Sequence, residues 1–157
     1  MKFRLITALL VVLSVAAGGL VYQVTRSDFS TLNGQNYRWE SLQGQWVVIN
    51  YFAPWCAPCL REMPELHHFD ETAPENTKVF AINFDVMTKD ALANMVAEYD
   101  IALDVIIVDE ATLLPMEKPT YLPATFIVDP DGKVVDTIMG EVSSQLLFAR
   151  LEQLQSR

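Results

Sequence analysis

Cysteine and histidine are scarce in this chain, with only two of each among its 157 residues. A structural zinc ion is usually held by four ligands, and Cys56 and Cys59 supply half of them. The other soft candidates, His67 and His68, are adjacent, and adjacent helical residues point about 100° apart, so they are poorly placed to join the cysteines. We therefore expect no stable metal site, although thiolates select Cu(I) and transient copper binding by the reduced pair stays open.

Basic residues are also few once the amino-terminal tip is set aside. Residues 5–157 contain nine Lys and Arg against twenty Asp and Glu, a formal net charge of −11 compared with −9 for the whole chain. Such a charge disfavours binding to nucleic acid and to anionic membrane surfaces. It is compatible with basic protein partners.

Charge is absent altogether from residues 5–24, a run of twenty residues. That length is enough to span a hydrocarbon core of about 30 Å as a helix. Because residues 1–4 are basic, we expect them to stay in the cytoplasm and residues 25–157 to form a domain outside it. A cleaved signal peptide with its site at residues 14–16 is the alternative, but it would leave an apolar remnant, which favours an uncleaved anchor. No cysteine lies in this segment, which excludes a lipid-modified amino terminus.

Both cysteines lie in the segment Trp55-Cys56-Ala57-Pro58-Cys59, which follows the apolar run 46–52. At this spacing in the first turn of a helix, two sulfurs lie on one face within bonding reach. Free backbone N–H groups and the helix dipole stabilise a thiolate on Cys56, and the thiolate is the nucleophile of disulfide exchange. Pro58 falls in the first turn, where a missing N–H costs little. A purely structural disulfide is the alternative, although a four-residue loop constrains little chain entropy.

The period of the apolar residues predicts the strands and helices of one domain. Strands are expected over residues 46–52, 79–84, 105–108, 125–128 and 133–139. Helices are expected over residues 57–71 with a kink at Pro64, after a cap at Thr88, and after a cap at Ser143. This order of elements predicts a mixed β-sheet with helices on both faces.

Two further segments carry turn signals. Residues 26–45 are polar and contain Asn33-Gly34, which predicts a short hairpin or loop ahead of the sheet. Residues 110–121 contain Pro115 and Pro119 and are expected to form a loop.

Three segments together resemble the thioredoxin superfamily. They are residues 47–59, which include the two cysteines, then Glu62-Met63-Pro64, and residues 122–132, which begin Leu-Pro-Ala-Thr-Phe. The pattern is most similar to the membrane-anchored, extracytoplasmic branch that includes TlpA, ResA and the CcmG-type proteins of cytochrome c maturation. The resemblance covers residues 29–154 and implies a thioredoxin-like α/β fold. We expect a central mixed sheet flanked by helices, an N-terminal hairpin extension and a single N-terminal transmembrane anchor.

The resemblance also implies roles for individual residues. Cys56 would attack a substrate disulfide, and Cys59 would resolve the mixed disulfide. Leu122-Pro123 would be a cis peptide bond facing the sulfurs, leaving the Leu122 backbone free to pair with a substrate strand. Trp55 would shield the sulfurs and offer an apolar docking surface. The alternatives are a trans proline at the start of an edge strand and core packing for Trp55.

Two positions depart from the patterns of related proteins. Asn50 stands where cytoplasmic thioredoxins have a buried aspartate; it cannot act as a general base, but it can hydrogen-bond or place a water. Several members of the branch carry a glutamate in the loop after the next strand, where this chain has Asp85 one residue earlier. A carboxylate near Cys59 would help to deprotonate it, although a capping or turn role explains Asp85 equally well.

Together these features predict a thiol–disulfide oxidoreductase on the outer, periplasmic face of a bacterial inner membrane. We expect it to reduce protein disulfides in cytochrome c or metal-site maturation, to be re-reduced by a membrane thiol donor, and to use no cofactor beyond the Cys56–Cys59 disulfide. A net disulfide oxidant and a copper-delivery module using the reduced dithiol are the alternatives. Specificity is expected in loops 85–88 and 110–121, which lie near the sulfurs in the family.

Overall fold

The structure, a computed structural model, describes residues 14–15 and 26–156. The predicted tip, residues 1–4, and all but two residues of the predicted anchor, residues 5–24, lie outside this range. In the part of the chain that is described, no helix combines the length and the apolar character needed to cross a membrane.

A seven-stranded β-sheet forms the centre of the described domain. Its strands are β1 (Phe29–Thr31), β2 (Asn36–Tyr37), β3 (Trp46–Phe52), β4 (Thr77–Asn83), β5 (Asp104–Ile107), β6 (Ala124–Val128) and β7 (Val134–Met139). Their order across the sheet is β2-β1-β5-β4-β3-β6-β7. The pairs β3–β4 and β4–β5 are parallel, and the other four are antiparallel. The sheet is therefore mixed, as the sequence predicts.

Within residues 26–156, three α-helices follow the predicted order: α1 (Ala57–Thr72), α2 (Lys89–Glu98) and α3 (Ser144–Gln155). The two predicted caps are confirmed, because Thr88 Oγ1 accepts from the Ala91 N–H and Ser143 Oγ accepts from the Leu146 N–H. Each cap satisfies an N–H group that has no partner inside its helix. The first helix continues through Pro64 to its end at Thr72.

Helices on both faces of the sheet were expected, and this expectation is wrong for residues 26–156. All three of these α-helices pack in one cluster with the sheet residues Val48, Ala81 and Ile127. The chain steps from β3 to β4 to β5 in one direction across the sheet. Right-handed crossovers that step in one direction place their helices on the same face, so α1 and α2 lie on one side of the sheet.

On the opposite face of the sheet, side chains of the inner strands and of the N-terminal hairpin at its edge pack with a 3₁₀ turn (Trp39–Leu42) and the loop of residues 108–121. The predicted hairpin is confirmed, with Phe29 of β1 opposite Tyr37 of β2. The ring of Phe29 also meets the edge of Phe80 in β4, with centroids 5.4 Å apart. Such aromatic pairs add about 0.5–1.5 kcal/mol each beyond area burial, so the hairpin is well attached.

Candidate active site

A disulfide occupies the junction between β3 and α1. It joins Cys56, the residue that caps α1, to Cys59 in the first helical turn, with Cα atoms 5.3 Å apart. The Cys59 N–H lies 3.3 Å from Cys56 Sγ, so the helix start offers a donor to that sulfur. Cys56 is 6% exposed and Cys59 is fully buried, so a partner molecule reaches Cys56 first. Pro58 lies within the first turn, as predicted.

The Leu122-Pro123 peptide bond is cis, which confirms the expectation from the resemblance. Pro123 directly precedes β6, whose residue Ala124 pairs with Tyr51 near the end of β3. The cis bond therefore lies at the end of the sheet from which the cysteine motif departs. The alternative of a trans proline on an edge strand is wrong, because β6 lies between β3 and β7. The expectations that this bond faces the sulfurs and that the Leu122 backbone pairs with a substrate stay predictions.

Trp55 lies on the surface immediately before Cys56, with 63% of it exposed. Its Nε1–H donates to Asp85 Oδ2 at 2.6 Å, and its ring meets the edge of Phe84 with centroids 6.0 Å apart. Core packing as the role of Trp55 is therefore wrong. The structure gives Asp85 the task of orienting Trp55, and the predicted action of Asp85 on Cys59 stays a prediction. An exposed, oriented indole beside a disulfide can serve as a docking surface.

A buried carboxyl group follows the disulfide by one helical turn. Glu62 lies three residues after Cys59 on the same face of α1 and is 2% exposed. Its Oε1 accepts from Asn50 Nδ2 at 2.8 Å, and its Oε2 accepts from the Val142 N–H at 2.7 Å. Burial raises the pKa of Glu62 from its ordinary value of 4.5 to about 7, against the opposing effect of these two hydrogen bonds.

Asn50 links this carboxyl group to the sheet. It is fully buried, and its Nδ2 also donates to Thr125 Oγ1 of β6 at 3.0 Å. Its Oδ1 has no hydrogen-bond partner among the described residues. The predicted hydrogen-bonding role of Asn50 is thus confirmed, and its partners are Glu62 and Thr125.

Glu62 is the candidate functional residue that the sequence analysis left without a role. The signal was present, because Cys59, Glu62, Leu66 and Phe69 form one stripe at helical spacing, and the other three residues are fully buried. Glutamate is almost never fully buried unless it is paired. A carboxyl group whose pKa is near neutral can accept a proton from a neighbouring thiol and return it.

Residues 22–137 match the AhpC/TSA family, which is well over half of the chain. The chain belongs to the AhpC/TSA family.

Proteins that resemble the chain include named redox proteins. A thiol-disulfide oxidoreductase ResA of Bacillus cereus is 30% identical over 124 residues, 78% of this chain and 71% of that protein. ResA of Bacillus thuringiensis (strain Al Hakam) is 28% identical over 167 residues, with 97% and 95% covered. The exposed lipoprotein thioredoxin Etrx1 of Streptococcus pneumoniae strain TIGR4 shares the fold, with a TM-score of 0.70, 21% identity and coverage of 80% and 96%. This AhpC/TSA protein is therefore a thiol-disulfide oxidoreductase, and the predicted superfamily and enzyme class are confirmed.

An exposed ion pair between Arg61 and Glu141 lies close to the buried carboxyl group. Among the causes that raise the pKa of Glu62, burial is the largest and the charge of Glu141 is a smaller one. We expect Glu141→Gln to lower the pKa of Glu62 modestly, because it removes a like charge and leaves Arg61 uncompensated. An NMR titration of the Glu62 carboxyl group measures this, with Glu71→Gln on α1 as the control. An unchanged midpoint in Glu141→Gln would mean that Glu141 has no effect.

Proposed function

We propose that this oxidoreductase is a reductant of protein disulfides in the periplasm, acting in the maturation of cytochrome c or of a metal site. One observation carries the redox part of the proposal: the Cys56–Cys59 disulfide caps a helix, with the carboxyl group of Glu62 buried one turn later. The direction is supported by the Ala-Pro pair between the cysteines and by the resemblance to the TlpA, ResA and CcmG-type branch.

The proposed reaction begins with both cysteines reduced. The Cys56 thiolate attacks one sulfur of a substrate disulfide and forms a mixed disulfide, and the other substrate sulfur leaves as a thiolate. Cys59 then transfers its proton to Glu62 and attacks the Cys56 sulfur. This step re-forms the Cys56–Cys59 disulfide and releases the second substrate sulfur, so two electrons pass from enzyme to substrate.

The oxidised enzyme must then be reduced, and we propose a membrane thiol donor for this step. Residues 5–24 would anchor the chain in the inner membrane, with residues 1–4 in the cytoplasm and residues 25–157 in the periplasm. The support is the uncharged run of twenty residues behind a basic tip. No cofactor beyond the disulfide is part of the proposal.

The reduction potential of the Cys56–Cys59 pair tests the direction of electron flow. We expect a value near or below about −270 mV, the value of thioredoxin, because a reductant must hold a stable disulfide. Equilibration of the full-length chain with redox buffers of known poise gives this number. A value near about −120 mV is that of a strong oxidant and would reverse the proposed direction.

A further inference from the structure

An apolar pocket opens at the carboxyl ends of the three parallel strands, on the sheet face opposite the α-helices. It has a volume of about 340 Å³. Tyr51 near the end of β3, Asn83 at the end of β4 and Val108 just after β5 line its inner side, and Leu113 and Met116 line its outer side. Ligands of open α/β sheets bind in the crevice outside the carboxyl ends of the strands, which is where this pocket lies.

Hydrogen bonds hold the outer wall of the pocket in place. The Leu113 N–H donates to the Asp28 carbonyl at 2.7 Å, and the Leu113 carbonyl accepts from Trp39 Nε1 at 2.8 Å. One residue earlier, Thr112 Oγ1 donates to Asp109 Oδ1 at 3.0 Å. The wall is thus fixed to the N-terminal hairpin and to the end of β5. A pocket formed before binding spares its ligand the cost of ordering a loop.

Phe84 connects the pocket to the disulfide. Its side chain lines the pocket and also packs against Trp55, which is the residue before Cys56. Val86 and Leu113, at the mouth of the pocket, are 73% and 53% exposed. A polypeptide bound through its own cysteine to Cys56 would therefore cross Trp55 and reach the pocket within a few residues.

One charged group restricts what the pocket can hold. Lys118 lines the pocket, and its Nζ lies 3.6 Å from the centroid of the Phe84 ring. This positive charge disfavours basic side chains. The other lining side chains are mostly apolar or aromatic, which favours a large apolar group.

We propose that this pocket is a specificity subsite for the disulfide substrate, which rests on the function proposed above. It takes one aromatic side chain of the substrate polypeptide, a few residues from the cysteine that is attacked. Aromatic rings fit best, because they bring a large apolar surface to the apolar walls of the pocket. The enzyme thus selects cysteines that have such an aromatic residue nearby.

Peptides test this subsite directly. The substrates are peptides with one cysteine in a mixed disulfide with glutathione, carrying tyrosine, phenylalanine or alanine two, three or four residues to either side. With the reduced full-length enzyme, we expect kcat/KM for the best tyrosine peptide to exceed that of its alanine counterpart by about tenfold to a hundredfold. Phenylalanine should exceed alanine to a similar degree. Equal rates for all three at every position would overturn the subsite.

Variants locate the effect in the pocket. Leu113→Asp or Val86→Asp should remove the preference for tyrosine while leaving the reduction of a small disulfide, such as hydroxyethyl disulfide, unchanged. The matched control is Val135→Asp, an exposed apolar position on the edge strand β7, which should keep the preference. A preference that survives both pocket variants would place the recognition elsewhere.

Failure of the proposed function gives a different result. If the wild-type enzyme reduces neither the peptides nor hydroxyethyl disulfide, the proposed reduction is wrong. The same preference is then measured in the opposite direction, with oxidised enzyme and reduced peptides, and equal rates there would overturn the subsite as well.

Discussion

The Cys59→Ser variant is expected to accumulate a stable mixed disulfide between Cys56 and a substrate protein. Cys56 is the sulfur that a partner can reach, whereas Cys59 is fully buried and acts only after the first exchange. Without Cys59 nothing releases the trapped partner, and turnover should fall by at least about a thousandfold. Non-reducing gels of the full-length variant, followed by mass spectrometry of the shifted band, show the adduct and identify the partner.

The matched control is Cys56→Ser, which keeps the buried cysteine and removes the accessible one. It should form no mixed disulfide and should also lose turnover, because no nucleophile remains at the surface. Trapping by Cys56→Ser at the level of Cys59→Ser would reverse the assigned roles. If Cys59→Ser lost its redox activity but still supported the cellular function, the copper-delivery alternative would gain support.

The second large effect is expected in Glu62→Gln. The substitution should slow release of the substrate from the mixed disulfide by about a hundredfold to ten-thousandfold at pH 8, because glutamine cannot take the proton of Cys59. In the wild type, the rate should rise as the pH passes about 7, where Glu62 ionises. The variant should lack this rise. Stopped-flow measurement of substrate thiol release between pH 5 and 9 gives both profiles.

The site can accommodate this glutamine. The oxygen of the new side-chain amide can accept from the Val142 N–H, and its N–H can then donate to Asn50 Oδ1 if the Asn50 amide turns over. Formation of the mixed disulfide, which does not use Glu62, is the internal control and should keep its rate. A variant that retains the rise near pH 7 would remove Glu62 from the proton-transfer step.

The substitution Glu62→Gln should slow the reaction but stabilise the folded protein at high pH. The folded state raises the pKa of Glu62 from 4.5 to about 7, so it holds the proton more tightly than the unfolded state does. Stability from this group is therefore full below pH 4.5 and declines as the pH rises to about 7. Above pH 7 the wild type has lost about 3 kcal/mol relative to acid pH. Because glutamine does not ionise, Glu62→Gln should not show this loss. Urea unfolding of the oxidised wild type and variant at pH 4.5 and 8 measures the free energies of unfolding that test this.

The sequence predicted best those structural features that depend on residues close together in the chain. The cap residues Thr88 and Ser143 and the cysteine pair at the start of α1 carry their signals within four positions. The cis bond before Pro123 was expected only through the resemblance. It could not be derived from local preference, because most bonds to proline are trans.

Features that depend on distant packing were missed. The common face of the helices follows from the order of the strands, and strand order is set by contacts between separate segments. Glu62 is buried against Val142, which lies 80 residues later. The exposed Trp55 likewise depends on Asp85, 30 residues away. The helical stripe of α1 indicates that Glu62 is buried, but nothing near Glu62 or Trp55 in the sequence identifies these distant partners.

The redox motif depends on contacts from the short connection between β7 and α3. Gly140 donates its N–H to the Pro123 carbonyl, and two residues later the Val142 N–H binds the Glu62 carboxyl group. Gly140 has φ near +104°, a conformation that other residues rarely adopt. Transplanting residues 55–59 into another scaffold would thus transfer the sulfurs without the environment of their proton acceptor. A miniature redox protein built from this chain would have to retain residues 140–142.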